Sequence, residues 1–153
     1  MHGDSQITHE NATNQNFMPV MRALVHAYQA FSAYDMSGYA QVDLTVPQAD
    51  VIFTLGNTGG LCFKDIGEKT LITKGTLTGV IERLENKGLV KKTHAPEDRR
   101  HVIVTLTAKG RKIFEKEFPR QIAFLKQKFD LLSKQELKEA ERVLLRLQEI
   151  FTS

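Results

Sequence analysis

LITKGTLTGVIERLENKGLV, residues 71–90, decides the fold. Leu77, Val80, Ile81 and Leu84 fall at i, i+3, i+4 and i+7, a spacing that places four apolar side chains on one face of an α-helix. Thr73 offers a cap at its start, and Gly88 stands where a left-handed C-terminal cap is expected. The opposite face carries Thr76, Thr78, Gly79 and Arg83, which are small or able to donate hydrogen bonds. Just upstream, Lys64 to Leu71 reads as another short helix, so the pair is joined by a tight turn.

Downstream the apolar period changes from helical to two. Val102, Val104 and Leu106 share one face of a strand, and Ala95-Pro96-Glu97-Asp98 supplies turn chemistry before it, so a β-hairpin is predicted. Beyond Thr107 a long helical pattern runs through Ile113, Phe114, Phe118, Ile122, Leu125, Phe129 and Leu132, with Pro119 expected to kink it. Ser133 and Glu136 form a capping box for a last helix striped by Leu137, Val143, Leu144, Leu147, Ile150 and Phe151.

Upstream, Thr45 and Gln48 make another capping box, with Pro47 in the first turn, and lead into Val51, Ile52 and Leu55. Gly56, Asn57, Gly59 and Gly60 end that helix, and a short apolar piece, Leu61 to Phe63, follows. Nearer the N-terminus Phe17, Val20, Met21, Leu24, Val25, Tyr28 and Phe31 predict a helix ending near Gly38. Residues 1 to about 15 lack periodicity and read as a frayed tail or an early helix turn. No internal repeat or low-complexity linker is visible.

The chain has 153 residues, 41% of them apolar, which is enough for a single domain with its own core. One cysteine, Cys62, excludes an internal disulfide and paired-cysteine metal sites, and between Leu61 and Phe63 it reads as an inert small hydrophobe. No apolar run reaches the roughly 20 residues that a membrane span needs, and the polar N-terminus lacks the apolar middle of a secretion signal. A cytoplasmic protein without a membrane partner is expected.

The net charge of +3 is only mildly basic. Its distribution says more: residues 1–63 hold one basic side chain, Arg22, whereas Lys91, Lys92, Arg99, Arg100, Lys109, Arg111, Lys112 and Lys116 crowd into the hairpin and the helix after it. Two short helices followed by a basic hairpin make a winged helix-turn-helix, whose second helix can enter the major groove of duplex DNA. Thr73, Lys74, Gly75 and Thr76 sit at that helix's N-terminus, where free N–H groups attract a phosphate. Arg99 and Arg100 sit at the hairpin tip, suited to a narrow minor groove, and His94 and His101 flank it near phosphates. Asp98 is expected to hold the guanidinium of Arg100 or Arg83 in a bidentate pair.

Each feature alone has a plainer reading, a solvated helix face or an ordinary charged turn; their succession in one chain favours DNA. A carboxylate facing phosphates would repel them, so Glu82, like Asn86, reads as structural. The five histidines lack ligand spacing, so no metal or cofactor is expected. No nucleophile–base pair or phosphate-cradling glycine loop stands in a suitable context, so no enzyme is expected.

Leu44-Thr45 with Gln48, then LITKGTLTGVIERLENKGLV (71–90) and PEDRRHVIVTLTAKG (96–110), resemble the MarR (multiple antibiotic resistance regulator) family across about half the chain. The resemblance implies a mostly α (α+β) protein, a winged helix-turn-helix with N- and C-terminal dimerisation helices. A core at 44–107 would be flanked by helices at 16–40 and 108–153 within one domain, 1–153. Thr73, Lys74, Gly75, Thr76, Thr78 and Gly79 match the family's recognition-helix contacts, and Arg100 its minor-groove residue, supported by Asp98 and Arg83. Thr70 stands where the pattern usually has Leu, and Gly79 where relatives often have a larger polar residue. A homodimer would also cover Ile122, Leu125, Phe129, Leu144, Leu147 and Phe151, which one thin domain could hardly bury.

Family members are commonly released from DNA by small aromatic ligands or by oxidation. His26, Tyr28, Phe31, Tyr34 and Tyr39 are candidates to line a pocket for a small aromatic ligand, although aromatic residues at helical spacing are more often core. The expected function is a sequence-specific, double-stranded DNA-binding transcriptional regulator: a repressor on a pseudo-palindromic operator, dimeric and ligand-relieved. The alternative is a winged-helix protein-interaction module without DNA binding, whose recognition face would be apolar or acidic.

Overall fold

The structure, a computed structural model, describes residues 6–70 and 72–153. His2 and the expected end of the third helix at Leu71 lie outside them. Among the described residues there are six α-helices and one three-stranded sheet. The chain divides into two compact units, the first ending at Ser37 and the second running Gly38–Ser153.

In the first unit the Thr8 N–H donates to Asn11 Oδ1 at 2.9 Å, and a short 3-10 turn at Ala12–Asn14 precedes helix α1, Met18–Ser37. The helix carries the expected apolar stripe yet buries none of its residues; Val20 remains 53% and Val25 47% exposed.

The second unit begins on helix α2, Val46–Gly56, opened by the capping box: Gln48 N–H donates to Thr45 Oγ1 at 3.4 Å, and Thr45 N–H to Gln48 Oε1 at 3.1 Å. Such caps are worth about 0.5–2 kcal/mol because they satisfy N–H groups that the helix cannot. Helix α2 is central, packing on α3 (Phe63–Thr70), α4 (Lys74–Asn86), α5 (Ala108–Phe129) and strand β3 (Asp98–Leu106). Val51, Ile52, Leu55, Ile66, Ile81, Leu84 and Val104 are fully buried around it. Tyr39, 7% exposed, stacks on Phe53 at 6.0 Å, and Phe53 meets Phe118 edge-on at 5.3 Å. Tyr39 is therefore a core residue, the plainer of its two readings.

Leu61–Cys62 forms a strand, β1, paired antiparallel with β3 (Leu61↔Val104, Cys62↔Ile103), and the sheet order is β1-β3-β2 with β2 at Val90–Ala95. Two residues have no period, so only the long-range pairing reveals this strand. Thr70 hydroxyl donates to Ile66 O at 2.7 Å and accepts from Ile72 N–H at 3.4 Å. A hydroxyl thus closes α3 where a leucine would have packed. Helix α5 runs unbroken through Pro119.

Helix α6, Lys134–Thr152, opens on the second capping box, Glu136 N–H to Ser133 Oγ at 3.1 Å and Ser133 N–H to Glu136 Oε2 at 2.7 Å. It buries no residue, and Phe151 is 77% exposed. The Ser133 backbone N–H, and after it the hydroxyl, hold the Glu136 carboxyl below its usual 4.5. A depressed folded-state value stabilises above the ordinary carboxylate range and is lost as pH falls through it. Thermal unfolding across acid pH should therefore show a loss of stability in the wild-type chain that Glu136→Gln lacks; equal acid limbs would contradict this role for the carboxylate.

Candidate nucleic-acid interface

Helix α4 turns one face inward, with Leu77, Val80, Ile81 and Leu84 at 2%, 3%, 0% and 0% exposure. Its other face is open: Thr73, Lys74, Gly75, Thr76, Thr78 and Arg83 are exposed and Gly79 is half-buried. Thr73 occupies the N-cap with φ −64° and ψ 150°, but its side chain makes no cap bond. The hydroxyl instead bonds Thr76 Oγ1 at 3.2 Å, while the Thr73 carbonyl accepts from Thr76 and Leu77 N–H at 3.0 and 2.9 Å. This corrects the expected cap: one hydroxyl bonded to a neighbouring hydroxyl leaves the first-turn N–H groups without a side-chain acceptor.

The open face is low in relief. A Cβ on Gly75 would meet nothing within 4 Å, and one on Gly79 only the Arg83 guanidinium at 3.8 Å. Neither glycine is required by packing within the chain, although a helix-interior glycine costs about 0.5–1 kcal/mol relative to alanine.

Behind this face, the end of α4, the base of the hairpin and the start of α5 meet in one joint. Gly88 takes φ +71°, which reverses the chain. Thr107 hydroxyl donates to Gly88 O at 2.6 Å and accepts from Gly110 N–H at 3.0 Å, and Thr107 N–H donates to Leu89 O at 3.1 Å. Gly110 lies so close that an added Cβ would stand 2.0 Å from Leu89 O. Two lysines reinforce the joint, Lys109 Nζ on Lys87 O at 3.1 Å and Lys87 Nζ on Asp43 O at 3.1 Å. Lys92 also pairs with Glu85 at 3.5 Å, tying β2 to α4.

The hairpin pairs regularly from Val90↔Leu106 to His94↔Val102, then slips, so that the next pair is Ala95↔Asp98. Arg99, Arg100 and His101 therefore have no partner residue on β2. Asp98 Oδ1 accepts the Arg100 backbone N–H at 2.9 Å, and His94 Nδ1 lies 2.7 Å from Arg99 O. Among the described residues no ion pair joins Asp98 to Arg100 or Arg83, which corrects the expected guanidinium clamp. An Asp side chain reaches the N–H two residues on more readily than a long mobile guanidinium, as in an Asx turn. Arg83, Arg99 and Arg100 are exposed. Periodicity could not have shown the slip, because it reports which face a residue occupies and not which residue it opposes.

Of the residues considered for a ligand pocket, His26, Tyr28, Phe31 and Tyr34 lie along α1, with Tyr28 65% exposed. Cys62 is half-buried in β1. No helix among the described residues is long and apolar enough to cross a membrane. If Asp98 holds the tip through the Arg100 amide, Asp98→Ala should speed hydrogen exchange at that amide roughly 5- to 10-fold, and Asp98→Asn should largely preserve its protection. Unchanged exchange in the alanine variant would refute the contact.

A sequence model of the MarR family matches residues 44–102. The chain is 32% identical over 133 residues to the HTH-type transcriptional regulator YfiV of Bacillus subtilis, covering 87% of this chain and 83% of that protein. Further curated relatives align over 57%, 46% and 63% of their own lengths, so those likenesses are partial. Among solved structures it is similar to Bordetella bronchiseptica BpsR, whose DNA binding is regulated by 6-hydroxynicotinic acid. That match has 32% identity, a TM-score of 0.74, and covers 85% of this chain and 98% of that one. AbsC of Streptomyces coelicolor, a MarR family transcriptional regulator, shares the fold at 22% identity and a TM-score of 0.80, over 96% of this chain and 97% of its own. With an open helix face, a basic wing and likeness over most of the length of YfiV, the chain belongs to the MarR family of transcriptional regulators.

Proposed function

We propose that this regulator is a repressor that binds a pseudo-palindromic operator in double-stranded DNA as a homodimer and is released by a small aromatic ligand. The observation that carries the reading is the pairing of an open helix face with an arginine-bearing wing, both fixed to one core through the Thr107 joint. Thr76, Thr78, Gly79 and Arg83 face the major groove; Thr73, Lys74 and Gly75 offer uncapped N–H groups and a cation to a phosphate. Arg99 and Arg100 reach the adjacent minor groove. Gly75 and Gly79 support this assignment, since their missing side chains serve no contact inside the chain and permit close approach of a DNA strand.

The apolar side chains left open on the terminal helices support the dimer. Ile122, Leu144 and Phe151 are 47%, 53% and 77% exposed, as are Val20 and Val25 of α1 at 53% and 47%. Full burial of one such side chain contributes roughly 1.5–3 kcal/mol, so α1, the end of α5, and α6 form the dimerisation elements. Two winged units related by a two-fold axis read half-sites about one helical turn apart. The ligand reading rests on BpsR, a relative regulated by 6-hydroxynicotinic acid. Action on chromosomal DNA places the protein in the cytoplasm.

A duplex selected from a random library should lose affinity for Arg100→Ala by about tenfold or more, with the log–log salt slope shallower by about 0.9. Salt-insensitive behaviour with no retained duplex would instead favour a protein-interaction module. Gly79→Ala separates stability from recognition: it should raise unfolding stability by about 0.5–1 kcal/mol while weakening DNA binding. A variant both more stable and equally tight on DNA would remove Gly79 from the interface.

A further inference from the structure

We propose that His94 is a positioning residue for the wing, its imidazole acting with the Asp98 carboxylate to pin the single peptide plane between Arg99 and Arg100. The inference rests on the DNA-binding reading of the wing and deepens it. Arg99 C=O and Arg100 N–H belong to one planar group, linked by a bond that does not rotate freely. The carbonyl end lies 2.7 Å from His94 Nδ1, and the N–H end donates to Asp98 Oδ1 at 2.9 Å. A carbonyl oxygen can only accept, so the His94 ring must carry its proton on Nδ1.

The need for such a clamp follows from the register slip. In a regular hairpin, ladder bonds to the opposite strand orient each peptide, but Arg99, Arg100 and His101 have no partner residue on β2. Two side chains take over the ladder's task at this point, one from each strand. A plane held at both ends fixes the Cα positions that flank it and leaves only the rotations about them, ψ of Arg99 and φ of Arg100, which narrows the directions in which the two side chains leave the backbone. Less backbone freedom is then lost when the arginines meet DNA. His94 thereby acts through the arginines rather than as a cation of its own.

Side-chain geometry supplies the test. His94→Asn keeps an N–H donor at the same number of bonds from Cα as Nδ1, His94→Gln moves the donor one bond further out, and His94→Ala removes it. On the duplex selected by the wild-type chain, Asn should bind within about twofold of wild type with an unchanged salt slope, while Ala and Gln should each weaken binding by about fivefold. Asn as weak as Ala would overturn the clamp, because that result belongs to a histidine touching phosphate directly. Independently of DNA, nitrogen NMR of the free protein, read on the neutral imidazole, should show His94 as the Nδ1–H tautomer; the Nε2–H tautomer would overturn the clamp while leaving the DNA reading intact. Failure of the wild-type chain to retain any duplex overturns both, whatever the tautomer.

Discussion

The Thr107 hydroxyl bridges the carbonyl that ends one element and the amide that begins another, Gly88 O at 2.6 Å and Gly110 N at 3.0 Å. Around it the chain completes the recognition helix, starts the wing and, after the hairpin returns, launches α5. A winged helix works only if helix and wing keep a fixed relation, since they address neighbouring grooves of a rigid duplex. Van der Waals packing between a short sheet and a helix would leave that relation loose. Directed hydrogen bonds on Gly88 and Leu89, with Gly110 offering no side chain to hold the backbones apart, set it.

Apolar surface divides the molecule by task. Around α2 the second unit has a closed core of fully buried Val, Ile and Leu. Helices α1 and α6 bury no residue, although their stripes are as regular as that of α4. Exposed apolar stripes of this length are unfavourable in water, which is the physical ground on which the dimer is proposed. Arg120 adds a local tie, bonding Glu117 at 2.7 Å and Gly38 O at 3.0 Å, so that α5 holds the start of its own unit.

At the wing the polar groups are arranged economically. Asp98 and His94 both bond to backbone, so neither pairs with the exposed guanidinium groups of Arg99 and Arg100. An acidic residue beside two arginines in the sequence invites an ion pair. The nearer amide wins because it is close and already oriented, whereas a guanidinium would have to surrender side-chain freedom and hydration.

The sequence by itself determined what depends on neighbours along the chain. The α4 stripe, both capping boxes, the Gly88 reversal and the hairpin were legible from short-range spacing and turn chemistry, because the groups that make them are near neighbours along the chain. Tertiary structure decided whatever needed a partner distant in sequence, or a choice between competing local partners. Strand β1 exists because Val104 and Ile103 lie beside it, and Tyr39 is core because Phe53 covers it. The Thr73 hydroxyl turned to Thr76, Asp98 to an amide, and His94 to the carbonyl of a peptide displaced by a register slip. Periodicity carries information about faces, but hydrogen-bond donors and acceptors choose among several partners within reach, and only three-dimensional proximity settles that competition.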